Sequence, residues 1–205
     1  MKYIIMCGGP RSYKPLRVIY NESIINRTIR LLRENGITDI AISSQDDRYE
    51  DIGVPVLRHD NSLVWDDFYW MKTFYPMKDP VCYIYGDVFF SPEAIKTIVN
   101  TETDDIEFFA SAPPYSKQYI KKWAEPFAFK VQNAERFFKC IERVKQLDKW
   151  QQFNRHPISW ELWQVIKGTP INKINYTNYI AINDYTVDID EDDQAAWIID
   201  RGYGE

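Results

Sequence analysis

Histidine is almost missing from this chain: only His59 and His156 occur, and neither stands near a cysteine or the other histidine. That scarcity argues against a histidine-based zinc centre and leaves carboxylates to carry any metal chemistry. Cysteine is scarce as well. Cys7, Cys82 and Cys140 lie far apart, with no pair spaced for a zinc site or a redox dithiol. An odd number of dispersed thiols fits a reducing cytoplasm, and Cys7 and Cys82 sit in apolar runs that read as core. No apolar run approaches the roughly 20 residues of a membrane-spanning helix. The apolar start, residues 1–7, is too short for a signal peptide. There is no basic block either: 25 Lys and Arg stand against 30 Asp and Glu, a formal net charge of −5. This balance argues against nucleic acid or a membrane surface as partner. The excess lies in aromatic side chains, with 7 Trp, 14 Tyr and 11 Phe making 16% of 205 residues.

The length suits one domain over residues 1–205, and no repeat, low-complexity tract or linker divides it. An apolar run at 2–7, stopped by Gly8-Gly9-Pro10, predicts a buried strand ending in a loop. Ile25, Ile29 and Leu32 at helical spacing, with Gly36 as the stop, predict a helix over 22–35. Strands are expected at 38–44, 54–57 and 81–85, and an aromatic helix at 63–74. Ser91 before Pro92 and Glu93 supplies an N-cap and a proline at the first helical position, so a helix runs on to Val99. Such alternation predicts parallel strands with right-handed crossovers, hence an open α/β sheet covered on both faces. Beyond Asp105 the pattern changes. Strands are expected at 106–110, 127–131 and 176–182, and helices at 134–147, at 159–166 and after the acidic run 188–193.

Ligands of open α/β sheets bind at the carboxyl ends of the strands, where loops converge. Gly8-Gly9-Pro10-Arg11-Ser12-Tyr13-Lys14-Pro15 follows the first strand. Glycine lets backbone approach a phosphate, and Arg11 and Lys14 can neutralise its charge, although a solvated loop reads the same way. Gly86-Asp87 follows the apolar strand 82–85, where a carboxylate serves either as a hard-cation ligand or as a turn cap. The run Asp188-Ile189-Asp190-Glu191-Asp192-Asp193 offers helix caps in its later acids. Asp188 and Asp190 share one side if that piece is extended, and can then join Asp87 on a metal.

With these residues in order, the chain resembles the nucleotidyltransferases that join an NTP to a phosphorylated sugar or alcohol, the sugar-phosphate and phosphocholine cytidylyl- and uridylyltransferases among them. Residues 1–44 resemble that superfamily's opening: a strand, a Gly-Gly…Arg…Lys-Pro loop, and the helix pattern Ile-x-Arg-Thr-Ile-Arg-x-Leu-x-x-x-Gly-Ile-x-Asp-Ile, here Ile25 to Ile40. Residues 83–90 resemble its central strand with Gly-Asp, and 187–197 its closing Asp-Ile-Asp segment. The likeness spans about half the chain and is weakest over 101–175. It implies a Rossmann-like, mostly parallel mixed sheet with helices on both faces, the glycosyltransferase-A-like nucleotidyltransferase fold. It also implies a nucleotide-binding half at 1–105 and an acceptor-binding half at 106–205. Gly8 and Gly9 would face the nucleotide, Arg11 the triphosphate and Lys14 the reacting α-phosphate. Asp87, Asp190 and Asp188 would hold Mg²⁺. Arg11, Lys14 and Asp87 are the catalytic candidates, and a cytoplasmic enzyme acting on small molecules is expected.

The base and acceptor residues are less legible. Ser43, Ser44 and Asp60 stand at strand ends where such enzymes read the base, though polar loops are common there. Glu125 and Phe127, with Trp160 and Trp163, fall where an acceptor would be covered. The two tryptophans are three apart and share a helix face. That face is either core or an aromatic cage for a quaternary ammonium such as phosphocholine. Glycosyltransferases using nucleotide sugars share the architecture but usually carry Asp-x-Asp, whereas Val88-Phe89-Phe90 follows Asp87. A non-catalytic nucleotide-binding module is the third reading. Base, acceptor and oligomeric state stay open.

Overall fold

The computed structural model describes residues 1–59, 68–115 and 119–204. Its elements, in chain order, begin with β1 (Lys2–Met6), β2 (Val18–Ile19), β3 (Glu22–Ser23), α1 (Ile24–Glu34), β4 (Ile40–Ser43) and β5 (Val56–Leu57). The middle holds α2 (Tyr69–Lys72), β6 (Val81–Tyr85), β7 (Val88–Phe89), α3 (Pro92–Asn100), β8 (Ile106–Ser111) and β9 (Glu125–Val131). Last come α4 (Ala134–Lys149), α5 (Ser159–Lys167), β10 (Ile180–Ala181), β11 (Val187–Asp188) and α6 (Asp192–Asp200).

Seven strands form one mixed sheet in the order β10-β8-β9-β6-β1-β4-β5. The four from β6 to β5 run parallel, β9 is antiparallel to both neighbours, and β10 is parallel to β8. Period-2 alternation sends the central strands' side chains to two cores. Tyr3, Ile5, Cys82 and Ile84 meet Ile25, Ile29 and Leu32 of α1 and Ile95 and Ile98 of α3. Ile4, Met6, Val81 and Tyr83 meet Phe137, Ile141 and Val144 of α4 and Trp160 and Trp163 of α5. Both faces are therefore apolar, which is why the parallel strands read as unbroken hydrophobic runs. The aromatic excess concentrates on the second face. Phe74 packs edge-on to Tyr83, Phe129 and Phe137 with ring centroids 5.1–5.7 Å apart, and Phe108 stacks on Phe129 at 4.4 Å.

Three short pieces outside this sheet close the site. The β2–β3 hairpin pairs Val18 with Ser23, and β11 pairs antiparallel with β7, Val187 opposite Phe89 and Asp188 opposite Val88. Ile19, Phe89, Val187, Ile189 and Ile198 form a third core that fastens hairpin, β11 and α6 together. The Tyr20 hydroxyl adds a 3.1 Å bond to the Ile198 carbonyl.

Ser91 caps α3 as expected, its hydroxyl accepting from the Ala94 amide at 2.9 Å. Elsewhere the expectations need correction. The strand expected at 176–182 is only Ile180–Ala181, because Asn178 adopts φ 58°, a left-handed turn that breaks the extended run. The helix expected over 63–74 survives as Tyr69–Lys72 among the described residues, and 60–67 lie outside them. The hairpin at 18–23 has no signature in the sequence, since two-residue strands show no alternation. Among the described residues, no helix is long and apolar enough to cross a membrane.

Candidate active site

Two glycine turns meet at the carboxyl ends of the adjacent parallel strands β1 and β6. A Cβ on Gly86 would lie 2.7 Å from the Met6 carbonyl oxygen, which the Gly86 amide itself uses as acceptor at 3.0 Å. A Cβ on Gly8 would strike the Thr73 side chain and come within 2.9 Å of His59 Nε2. Only glycine allows these approaches, and they set Asp87 beside the loop that carries Lys14.

That loop is built from consecutive turns, with the Ser12 amide donating to the Gly9 carbonyl at 3.1 Å and the Lys14 amide to the Arg11 carbonyl at 3.0 Å. It is braced from β4 and the turn after it. The Ser44 hydroxyl donates to the Cys7 carbonyl at 2.7 Å, the Ser12 hydroxyl to Asp46 Oδ2 at 2.7 Å, and the Tyr49 hydroxyl to the Ser12 carbonyl. Arg48, bonded to both Asp46 oxygens, outweighs burial and, with Ser12, holds that carboxyl well below the usual range. The brace therefore stays charged through neutral pH.

Lys14 points inward, its side chain only 4% exposed, while Arg11 at the loop's tip is 55% exposed. The Lys14 ammonium donates to Asp190 Oδ1 and lies 3.8 Å from Asp87 Oδ2; Arg11 Nη1 lies 3.6 Å from the same Asp190 oxygen. One ammonium thus reaches carboxylates from the middle and the end of the chain. Burial alone would depress the Lys14 pKa, but the charges of Asp87, Asp188 and Asp190 outweigh it and raise it.

The closing segment alternates as an extended piece should. Val187 and Ile189 are fully buried, and Asp188 and Asp190 turn to the other side. The Ile189 amide donates to the Asp87 carbonyl at 3.0 Å, which locks the segment's register against Asp87. Gln194, on the first turn of α6, accepts from the Asp190 and Glu191 amides at 2.7 and 2.8 Å. Burial, then the charges of Asp87 and Asp190, pushes the Asp188 carboxyl well above its ordinary value, and its buried Oδ1 has no hydrogen-bond partner among the described residues. Burial likewise raises Asp87, against the pull of Lys14. From β9, Glu125 Oε2 accepts the Asp188 amide at 3.4 Å; burial pushes its carboxyl to about 8, despite Lys121.

Gly8, Arg11, Lys14, Asp87, Glu125, Asp188 and Asp190 all line one cavity of about 410 Å³. It also takes in residues that sequence reasoning missed: Ser12, Trp70, Tyr85, Lys122, Trp123, Ser159 and Gln194. Other candidates do not line it. Gly9 is buried, with φ 79°. Ser43 and Ser44 are wholly buried, so β4 presents neither hydroxyl to a ligand, and Ser44 serves as a brace. Phe127 is core, and Lys121 Nζ lies 5.3 Å from its ring centroid. Trp160 and Trp163, each 1% exposed, pack on Phe108, and their indole N–H groups donate to the Ala124 and Thr177 carbonyls. They are core residues and not an acceptor cage. Asp60 lies outside the described residues.

The donor set suits a hard divalent cation. Among the described residues, no group of three or more acidic, His or Cys side chains is arranged to hold a metal ion. Mg²⁺ needs fewer, one or two carboxylates with water and phosphate oxygens completing the shell. Asp87 and Asp190 converge on one point, and Asp188 brings an orphaned oxygen.

These raised carboxyls predict a pH response. An acid whose pKa is higher folded than unfolded binds fewer protons in the unfolded state between the two values, so stability falls as pH rises. For Glu125 the window runs from 4.5 to about 8, and Asp87 and Asp188 shift the same way. The melting temperature of the ligand-free protein is expected to be highest in mildly acidic buffer and to decline through that window. Scanning calorimetry across pH checks it, and Glu125→Gln should flatten the slope.

No family model matches the chain, and no curated protein matches it. Solved structures do. A Bacillus anthracis protein described as a glucose-1-phosphate thymidylyltransferase aligns over 100% of this chain and 98% of its own, with a TM-score of 0.59 at 16% identity. CTP:phosphocholine cytidylyltransferase from Streptococcus pneumoniae aligns over 98% of each chain, with a TM-score of 0.54 at 16% identity. The 4-diphosphocytidyl-2C-methyl-D-erythritol synthase of Anaerococcus prevotii covers 98% of this chain and 94% of its own, with a TM-score of 0.59 at 10% identity. The chain has the Rossmann-like fold of nucleotidyltransferases.

Proposed function

We propose that the protein is a Mg²⁺-dependent nucleotidyltransferase, joining an NTP to a phosphorylated sugar or alcohol and releasing pyrophosphate. The observation that carries this reading is the meeting of Lys14, Asp87 and Asp190 at the carboxyl ends of parallel strands, with Arg11 at the rim. A phosphate oxygen of the acceptor attacks the α-phosphorus, and the bond from that phosphorus to the bridging oxygen of pyrophosphate breaks. Both reactants are anions, so alignment and charge compensation make up most of the catalysis. Arg11 and Lys14 offset charge on the triphosphate and the departing pyrophosphate. Asp87, Asp190 and Asp188 would hold the ion; what it supplies, when bound, is charge neutralisation and alignment between two phosphates. No side-chain nucleophile is required, which suits a cavity lined by neither histidine. Nucleotide in the half formed by residues 1–105 and acceptor toward 106–205 accords with a cavity lined from both halves, by Gly8, Arg11 and Lys14 of the first and by Trp123 and Glu125 of the second.

The test incubates the protein with each of the four NTPs and Mg²⁺ against a panel of sugar phosphates and phosphocholine, following pyrophosphate. The expected result is pyrophosphate that depends on one NTP and on an acceptor. Release of nucleoside diphosphate from a nucleotide sugar would instead identify a glycosyltransferase, and nucleotide binding without turnover a binding module.

A further inference from the structure

The carboxylates of this site already have a cation. Lys14 Nζ donates to Asp190 Oδ1 and stands 3.8 Å from Asp87 Oδ2. Its stem is enclosed, and it opens a short helical turn, Lys14–Leu16, that Pro15 stiffens. Arg11 reaches the same Asp190 oxygen only from solvent, at 3.6 Å. A lysine ammonium is a compact point charge with three donors, and here it compensates anions that would otherwise repel one another. Withdrawing it with nothing in exchange would leave two neighbouring, partly enclosed carboxylates to repel one another.

We infer that Lys14 is the resident counter-ion of the Asp87–Asp190 pair, and that a divalent cation enters only as Lys14 is drawn off to another anion. The argument is one of shared atoms. An ion held by Asp190 Oδ1 and Asp87 Oδ2 needs the oxygens that the ammonium now uses. Free metal offers the displaced ammonium no new partner, whereas a polyphosphate does. Metal and nucleotide affinities are then coupled, and coupling between two ligands is reciprocal. This rests on the proposed function for the identity of the second anion; the exchange at the carboxylates stands on the ion pairs alone.

The test uses Mn²⁺ alone as probe, with the full chain and no nucleotide, read by electron paramagnetic resonance or calorimetry. Lys14→Gln is expected to bind Mn²⁺ about tenfold or more tightly than the wild type, because the competing charge is gone. Lys14→Arg, which keeps the charge, is expected to gain nothing. Equal affinity in wild type and Lys14→Gln would overturn the inference. Thermal melting of the wild type gives a second reading that needs no variant: Mn²⁺ alone should leave its midpoint in place, and a clear rise would overturn the exchange. Failure of the two ideas is distinguishable. A gain of Mn²⁺ affinity in Lys14→Gln, with no pyrophosphate release by the wild type, would retain the counter-ion role and remove nucleotidyl transfer. Normal turnover with no gain would do the reverse.

Discussion

Asp87→Ala is expected to abolish pyrophosphate release, by about a thousandfold or more, while the protein keeps its fold. The carboxylate is half-buried, and its charge is disfavoured by its surroundings and by Asp190. Its removal relieves repulsion with Asp188, and Lys14 keeps its bond to Asp190. The backbone carbonyl that receives the Ile189 amide is untouched by the substitution, so β11 should stay in register. Turnover, circular dichroism and thermal melting measured on the same preparation separate the two effects. Near-normal turnover in a folded Asp87→Ala protein would remove the metal-site assignment.

Trp160→Ala should act on stability. The indole is 1% exposed, edge-on to Phe108, Tyr176 and Tyr179 at centroid distances of 4.8–5.2 Å, and donates to the Ala124 carbonyl. Truncating an enclosed aromatic of this size costs about 3–5 kcal/mol, a large part of the roughly 5–15 kcal/mol by which domains are stable. Urea denaturation should show a lower midpoint with an unchanged slope. If the variant instead unfolded normally but lost affinity for phosphocholine, the aromatic-cage reading would return.

Strong, local patterns were the ones legible in the sequence. β6 reads directly from its apolar run, α3 from Ser91 and Pro92, and the alternation of Val187, Asp188, Ile189 and Asp190 from spacing alone. What spacing cannot say is which side of an element meets water. Trp160 and Trp163 share a face, but whether that face meets a core or a ligand depends on β8 and β9 beneath it. Ser43 ends a strand buried on both sides, so its polarity misled. The charge of Lys14 was plain, whereas its enclosure among carboxylates comes from elements more than 70 residues away in either case. Lys122 and Trp123 sit in a stretch with no periodicity, and their place on the cavity wall follows only from tertiary structure.

The antiparallel pairing of β11 with β7 lies outside the main sheet. Two of the three acids, Asp188 and Asp190, are therefore carried by a segment fixed apart from that sheet, far along the chain from Asp87. The three acids therefore come together only where residues 187–200 dock on the hairpin, through the core that Val187, Ile189 and Ile198 share with Ile19 and Phe89.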